Sequence, residues 1–219
     1  MAKSGMKLIS VNVGRPRRVP WRGETVATAI FKEPVKHAVQ LRRLNLDGDQ
    51  QADLKVHGGP DKAVYAYPSE HYEFWRQELP EMELPWGAFG ENFTTEGLLE
   101  ESTSIGDRFR VGSSIVTVTQ PRMPCYKLGI KFGRDDIIKR FLASKRTGFY
   151  FSVVEEGEVR AGDMVELVAQ EKNRVSVTDI VRLYVADIPD PELLQRVVEL
   201  EALPTNWRDY FLQRLQPAS

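Results

Sequence analysis

Up to about residue 170 the apolar positions fall in short, β-branched stretches. "KLISVNV" (7–13), "TVATAIFK" (25–32), "AVQLRRLNL" (38–46) and "AVYAY" (63–67) read as strands, and so do "SIVTVTQ" (114–120), "FYFSVVEEG" (149–157) and "DMVELVA" (163–169). Turn signals separate them at Asp47-Gly48, Gly58-Gly59-Pro60, Gly112-Ser113 and Gly162-Asp163. "IGDRFRVGSSIVTV" predicts a hairpin about Gly112. Two stretches switch to a helical period. "PSEHYEFWRQEL" (68–79) aligns Tyr72, Trp75 and Leu79, and "RDDIIKRFLAS" (134–144) aligns Ile137, Ile138, Phe141 and Leu142. The second has acids at its start, where the helix dipole favours them. Many short strands and few helices predict an α+β, mainly β fold: a barrel-like mixed sheet with flanking helices, not a doubly wound sheet.

The pattern changes after residue 170. "QEKNR" (170–174) reads as a polar linker, and three amphipathic helices follow. "VTDIVRLYVAD" (177–187) offers Thr178 as an N-cap, "DPELLQRVVELEAL" (190–203) has apolar residues at helical spacing, and "PTNWRDYFLQRL" (204–215) carries Trp207, Tyr210, Phe211 and Leu215. The expected division is a sheet domain over 1–170 and a C-terminal three-helix unit over 171–219. The latter is too small to be robust alone, so it docks on the sheet domain or on a partner.

Charge and composition narrow the function. Net charge is −1, so no whole-molecule field draws in nucleic acid or a membrane surface. Basic residues bunch locally in "GRPRRVPWR" (14–22) and "ASKRTG" (143–148), enough to hold a small anion. The single cysteine excludes an intramolecular disulfide and an iron–sulfur cluster held by this chain alone. The start "MAKSGMKLIS" has no apolar signal region, and no apolar run reaches bilayer length, so a cytoplasmic protein is expected.

Cys125 sits in "QPRMPCYKLG" (120–129). A lone thiol often just fills a core gap. Here it follows a strand, in a loop with Pro121 and Pro124, and Arg122 and Lys127 flank it; nearby positive charge favours the thiolate, the form that attacks electrophiles and binds soft metals. In "DLKVHGGPDKAVYAY" (53–67), His57, Gly58, Gly59 and Lys62 form a second candidate, because paired glycines let backbone N–H groups approach an anion. The plain alternative there is a tight turn before a strand. "GAFGENFTTEGL" (87–98) places Glu91 and Asn92 after a glycine, at a strand edge or a ligand-facing loop, while Arg15 and Arg17 are either solvated surface or a phosphate clamp. No zinc spacing and neither nucleotide fingerprint is present.

Taken together, "VHGGPDKAVYAYPSEHYEFW", "GAFGENFTTEGL" and "IGDRFRVGSSIVTVTQPRMPCYKL" resemble the MOSC domain, the molybdenum cofactor sulfurase C-terminal domain. The resemblance is to its bacterial YiiM-type branch, the hydroxylaminopurine-resistance proteins, and the last three helices look like that branch's 3-alpha domain. It implies a molybdenum cofactor in a basic cleft, with Cys125 as the one protein ligand to molybdenum and catalytically central. The cofactor's dithiolene brings two sulfurs, so one protein thiolate is enough. The resemblance implies reduction of small N-hydroxylated compounds, including nucleobase analogues. Arg15, Arg17, the His57-Gly58-Gly59 loop, Lys62, Glu91, Asn92 and Arg122 are the cofactor-binding candidates, and His57 is the candidate proton-handling group. Electrons would come from a separate flavin or iron–sulfur reductase, and a homodimer is left open. A rival reading is a carrier that delivers cofactor or persulfide sulfur on Cys125 without catalysis. No lysine has a distinctive Schiff-base context, which argues against pyridoxal phosphate.

Overall fold

A computed structural model describes residues 5–51, 58–188 and 190–215. In chain order it contains β1 (Lys7–Val13), β2 (Arg17–Trp21), β3 (Glu24–Thr28), β4 (Glu33–Pro34) and β5 (Val39–Leu41). After a 3-10 turn at Pro60–Lys62 come β6 (Val64–Pro68), α1 (Glu70–Glu78), β7 (Phe93–Glu96), β8 (Arg108–Val111) and β9 (Ser114–Pro121). Then follow α2 (Tyr126–Phe132), α3 (Ile137–Ser144), β10 (Phe149–Glu155), β11 (Gly157–Val159) and β12 (Val165–Ala169). The chain ends on α4 (Val177–Val185), α5 (Pro191–Val198) and α6 (Thr205–Leu215).

Eight strands form one mixed sheet in the order β12-β8-β9-β10-β6-β7-β1-β4. All its pairs are antiparallel except β6 with β7. The sheet curls far enough for β1 to meet the approach to β12. Leu8 N–H donates to the Asp163 carbonyl at 2.9 Å and Val165 N–H to the Met6 carbonyl at 2.9 Å, around an isolated bridge between Lys7 and Met164. One bridge is not a ladder, so the expected barrel does not close.

Strand β6 lies inside this sheet and is buried on both faces. Side chains alternate across a strand. Val64 and Ala66 therefore enter one core with β1, β9 and β10, while Tyr65 and Tyr67 enter a second, aromatic core under α1, α2 and α3. In the second core Trp75 Nε1 donates to the Tyr67 hydroxyl at 2.7 Å.

Several local readings change. The strand expected over 38–46 stops at Leu41, because the chain reverses: Arg42 N–H donates to the Asn45 carbonyl at 2.8 Å and Leu46 returns to bridge Leu41. The stretch 149–157 divides between β10 and β11, which joins β5 in a separate ribbon. Ser176, not Thr178, caps α4: its hydroxyl accepts from Asp179 N–H at 3.1 Å and Asp179 returns the bond to Ser176 N–H at 3.1 Å. Helix α2 has no counterpart in the expected elements.

The C-terminal helices share the first core with the sheet. Ile180, Leu194, Val197, Trp207 and Phe211 pack in the same cluster as Phe109, Val116 and Phe149. Trp207 Nε1 also donates to Gln120 Oε1 on β9 at 2.7 Å. Sheet and helices are therefore expected to unfold together, with far-UV circular dichroism and tryptophan fluorescence giving coincident urea transitions. Trp207→Phe strands the buried Gln120 oxygen and should lower stability by about 1–3 kcal/mol.

Candidate functional site

Cys125 stands where the two cores meet. Strand β9 delivers the chain to Arg122, whose N–H donates to the Gly148 carbonyl at 3.1 Å. Gly148 has φ +63°, and a Cβ there would come within 2.4 Å of the Ala66 carbonyl oxygen, so only glycine fits. Its N–H donates to Glu100 Oε1 at 2.7 Å, and Glu100 Oε2 lies 2.7 Å from His71 Nε2. His71 and Glu100 thus fix the strand start that holds Arg122. After Pro124 the backbone stays extended, with Cys125 at φ −124° and ψ 173° as the N-cap residue of α2. Leu128 and Phe132 anchor that helix in the aromatic core.

The half-buried thiol lines a cavity of about 100 Å³. Among the described residues Lys32, Lys62, Arg122 and Lys127 face it with a single carboxylate, Asp49. Lys32 and Asp49 form a buried ion pair, with Nζ 2.6 and 2.7 Å from the two carboxylate oxygens. The remaining lone pairs of Asp49 are used as well: Oδ1 accepts from Gly14 N–H at 2.8 Å and Oδ2 from Asn92 Nδ2 at 2.9 Å. Asp49 is therefore spent on Lys32. Burial pushes the Lys32 ammonium below its ordinary value, with Asp49 pulling it back. Burial does the same to Lys62, opposed by Asp61.

Arg122 is 5% exposed and lies over two rings, with its guanidinium carbon 5.2 Å from the centroids of both Tyr65 and Phe141. Its Nη1 is buried and meets no hydrogen-bond acceptor among the described residues. An unsatisfied buried donor costs free energy, so this atom is one place where the described residues leave Arg122 incompletely satisfied. Burial pushes the Tyr150 hydroxyl up from its ordinary value, and the Arg122 charge opposes the shift.

Residues 53–166 match the MOSC domain, and residues 175–217 match the YiiM-like 3-alpha helix domain. The chain belongs to the MOSC family. It is 42% identical over 214 residues to YflK of Bacillus subtilis (strain 168), covering 98% of this chain and 96% of that protein. It is 32% identical over 196 residues to a "Reductase" of Gibberella moniliformis, covering 88% of this chain but 35% of that longer protein. Among solved structures, YiiM from Geobacillus stearothermophilus superposes with a TM-score of 0.81 at 33% identity, covering 96% of this chain and all of the other.

In this MOSC protein the expected site residues divide. Arg122, Lys62, Asn92 and Cys125 come together on the cavity wall. Gly59, with φ +98°, shapes the turn that carries Lys62; Thr119 Oγ1 pins that turn to β9 by donating to the Asp61 carbonyl at 2.7 Å. Gly58 and Gly59 themselves are not on the described wall. Glu91 turns the other way. Its carboxylate accepts from the Tyr72 hydroxyl, from Gly87 and Phe89 N–H at 2.8 and 3.1 Å, and from Thr94 Oγ1 at 2.9 Å. Arg15 and Arg17 line a separate hollow with Phe31 and Glu33, where Arg17 lies 3.5 Å from the Phe31 centroid. His57 lies outside the described residues.

Lys32, Asp49, Lys127, Tyr65 and Tyr150 were not singled out from sequence as cavity residues. Lys127 had a signal, two positions after Cys125. Lys32 and Asp49 had none, since only folding joins them. Asp49→Ala leaves Lys32 buried without its counter-ion and should cost about 3–5 kcal/mol in urea unfolding. A lysine held below its ordinary value is penalised at neutral pH. That penalty fades as pH rises toward 10.5, where the unfolded lysine also loses its proton. The deficit of Asp49→Ala relative to wild type should therefore narrow with rising pH.

Proposed function

We propose that the protein holds a molybdenum cofactor against Cys125 and reduces N-hydroxylated compounds with electrons from a separate reductase. The observation that carries the reading is the placing of a soft thiol, Cys125, on one cavity wall with the buried guanidinium-bearing Arg122 and with Lys62 and Lys127. The donor set fits the group. Cys125 offers one soft sulfur to a metal that brings its other sulfurs with it. Arg122, Lys62 and Lys127 offer charge and hydrogen bonds to an anionic phosphate tail. MOSC membership and the reductase-named relative lean the same way.

When bound, the cofactor supplies the two-electron chemistry: R–NH–OH plus two electrons and two protons gives R–NH₂ and water. The protein's own contribution is orientation and charge. Helix α2 fixes the Cys125 backbone, and the Glu100–Gly148 contact fixes Arg122. Tyr150 lines the cavity on the wall it shares with Cys125 and Arg122, where its hydroxyl can orient a bound group. The chain has one cysteine and cannot build an iron–sulfur relay from its own thiolates, which is why the electron donor is placed outside it.

Elemental mass spectrometry tests the reading on protein from a host that makes the cofactor. Wild type should carry close to one molybdenum per chain and Cys125→Ala close to none. Arg122→Gln, losing charge-assisted hydrogen bonds of about 1.5–3 kcal/mol, should retain cofactor roughly ten- to a hundred-fold less tightly. Metal retained by Cys125→Ala overturns the assignment. A sulfur adduct on Cys125 in metal-free wild type points instead to the carrier role. The purified protein with NADPH and an N-hydroxylated substrate should show no turnover until a flavin or iron–sulfur reductase is added.

A further inference from the structure

The C-terminal helices reach the Cys125 site through a buried amide. Gln120, on β9 ahead of Cys125, is 3% exposed, and both ends of its side chain are engaged. Its oxygen accepts from Trp207 Nε1 of α6 at 2.7 Å. Its nitrogen donates to the Asp61 carbonyl over a longer 3.4 Å. An indole nitrogen donates and cannot accept, so Trp207 selects the amide oxygen and turns the nitrogen toward Asp61. Without that selection the amide is free to rotate by half a turn and set oxygen against carbonyl. A residue of the three-helix unit therefore decides which way an amide of the sheet faces.

Asp61 belongs to the turn Pro60–Lys62, and that turn carries Lys62. Lys62 and Cys125 each line the basic cavity, and each also lines a groove of about 440 Å³ whose far side is built by Tyr184, Trp207 and Tyr210. Lysine and thiol thus share the boundary between the two spaces. Other bonds fasten the turn within the sheet domain. Thr119 Oγ1 donates to the Asp61 carbonyl at 2.7 Å, Gln51 Nε2 to the Lys62 carbonyl at 3.2 Å, and Lys62 N–H to the Gly59 carbonyl at 3.1 Å. The Gln120 contact differs from these because its other end is held by α6. That end is rigid: Trp207 stacks on Phe211 at 5.7 Å, and Arg214 ties α6 to α4 by donating to the Leu183 and Ala186 carbonyls at 2.7 and 2.6 Å.

We propose that α6 positions Lys62 beside Cys125. Trp207 and Gln120 are positioning residues. Neither supplies charge; together they hold the Asp61 carbonyl, and with it the turn that sets where the Lys62 ammonium stands. That positioning needs no bound cofactor, while its consequence for an anionic cofactor rests on the reading above.

Alkylation of Cys125, the chain's one thiol, reads the charge beside it. Iodoacetate and iodoacetamide are similar in size and lose iodide to the same thiolate, but only iodoacetate is an anion. The ratio of their rate constants therefore follows local charge, whereas a loosened site or a changed thiolate fraction alters both rates alike and cancels. On the full-length, metal-free protein at low salt, Lys62→Met should lower the iodoacetate-to-iodoacetamide ratio roughly three- to tenfold, the effect of removing one nearby charge from a partly hydrated site. Trp207→Phe keeps a ring and removes the donor, and Gln120→Leu keeps the core filled; each should lower the ratio at least half as far on a logarithmic scale. In the Lys62→Met background neither should lower it further, since the two changes act through one lysine. If Trp207→Phe does not fold, Gln120→Leu carries the test. A wild-type ratio in the folded positioning variants overturns the proposal. So does an unchanged ratio in Lys62→Met, or an equal drop with and without Lys62. The expected ratios in a protein that never takes up molybdenum would keep the positioning and remove the cofactor reading. Molybdenum bound by wild type and lost in Cys125→Ala, beside ratios unmoved by Trp207→Phe and Gln120→Leu, would do the reverse.

Discussion

A strand buried on both faces organises this molecule. β6 has no solvent side, so its alternating side chains must fill two separate cores. The aliphatic face joins the curled sheet and the aromatic face joins α1, α2 and α3. The segment after β9 has to run along the seam between them. Arg122 lies over Tyr65 and Phe141 on one side, and Met123 packs against the other core. Cys125 comes next and is left at the boundary, half-buried, with a helix starting behind it.

Charge inside such a seam has to be arranged, because burial penalises it. Lys32 is neutralised by Asp49, and Asp49 is satisfied in turn by Gly14 and Asn92. This local set is closed. Arg122 is not closed among the described residues, since a guanidinium stays ionised when buried and one of its nitrogens meets no acceptor there. The contrast separates a saturated ion pair from an incompletely satisfied cation, although both sit on the same wall.

The C-terminal helices complete the seam from outside. They are too small to bury a core alone, and they borrow that of the sheet through Trp207 and Phe211. Docking in this way brings Tyr184, Trp207 and Tyr210 to the far side of Cys125. One set of contacts gives the helices their stability and gives the groove its wall.

The sequence by itself determined the strand-rich body, a helix within 68–79 and another within 134–144, the three C-terminal helices and the closeness of Cys125 to Arg122, because hydrophobic period and local chemistry are written in neighbouring residues. It did not reveal α2, whose seven residues follow a proline-rich loop and show too short a period to read. It grouped Glu91 with Asn92, yet the Glu91 carboxylate is taken up by Tyr72, Gly87, Phe89 and Thr94, and of the two only Asn92 lines the cavity. Arg15 and Arg17 looked like an anion clamp by composition, but the β2–β3 ribbon carries Arg17 over Phe31 instead. The curl without closure, the Lys32–Asp49 pair across seventeen positions and the aromatic wall across from Cys125 were decided by tertiary structure alone. Each depends on which segments meet in space, and a local pattern carries no information about that.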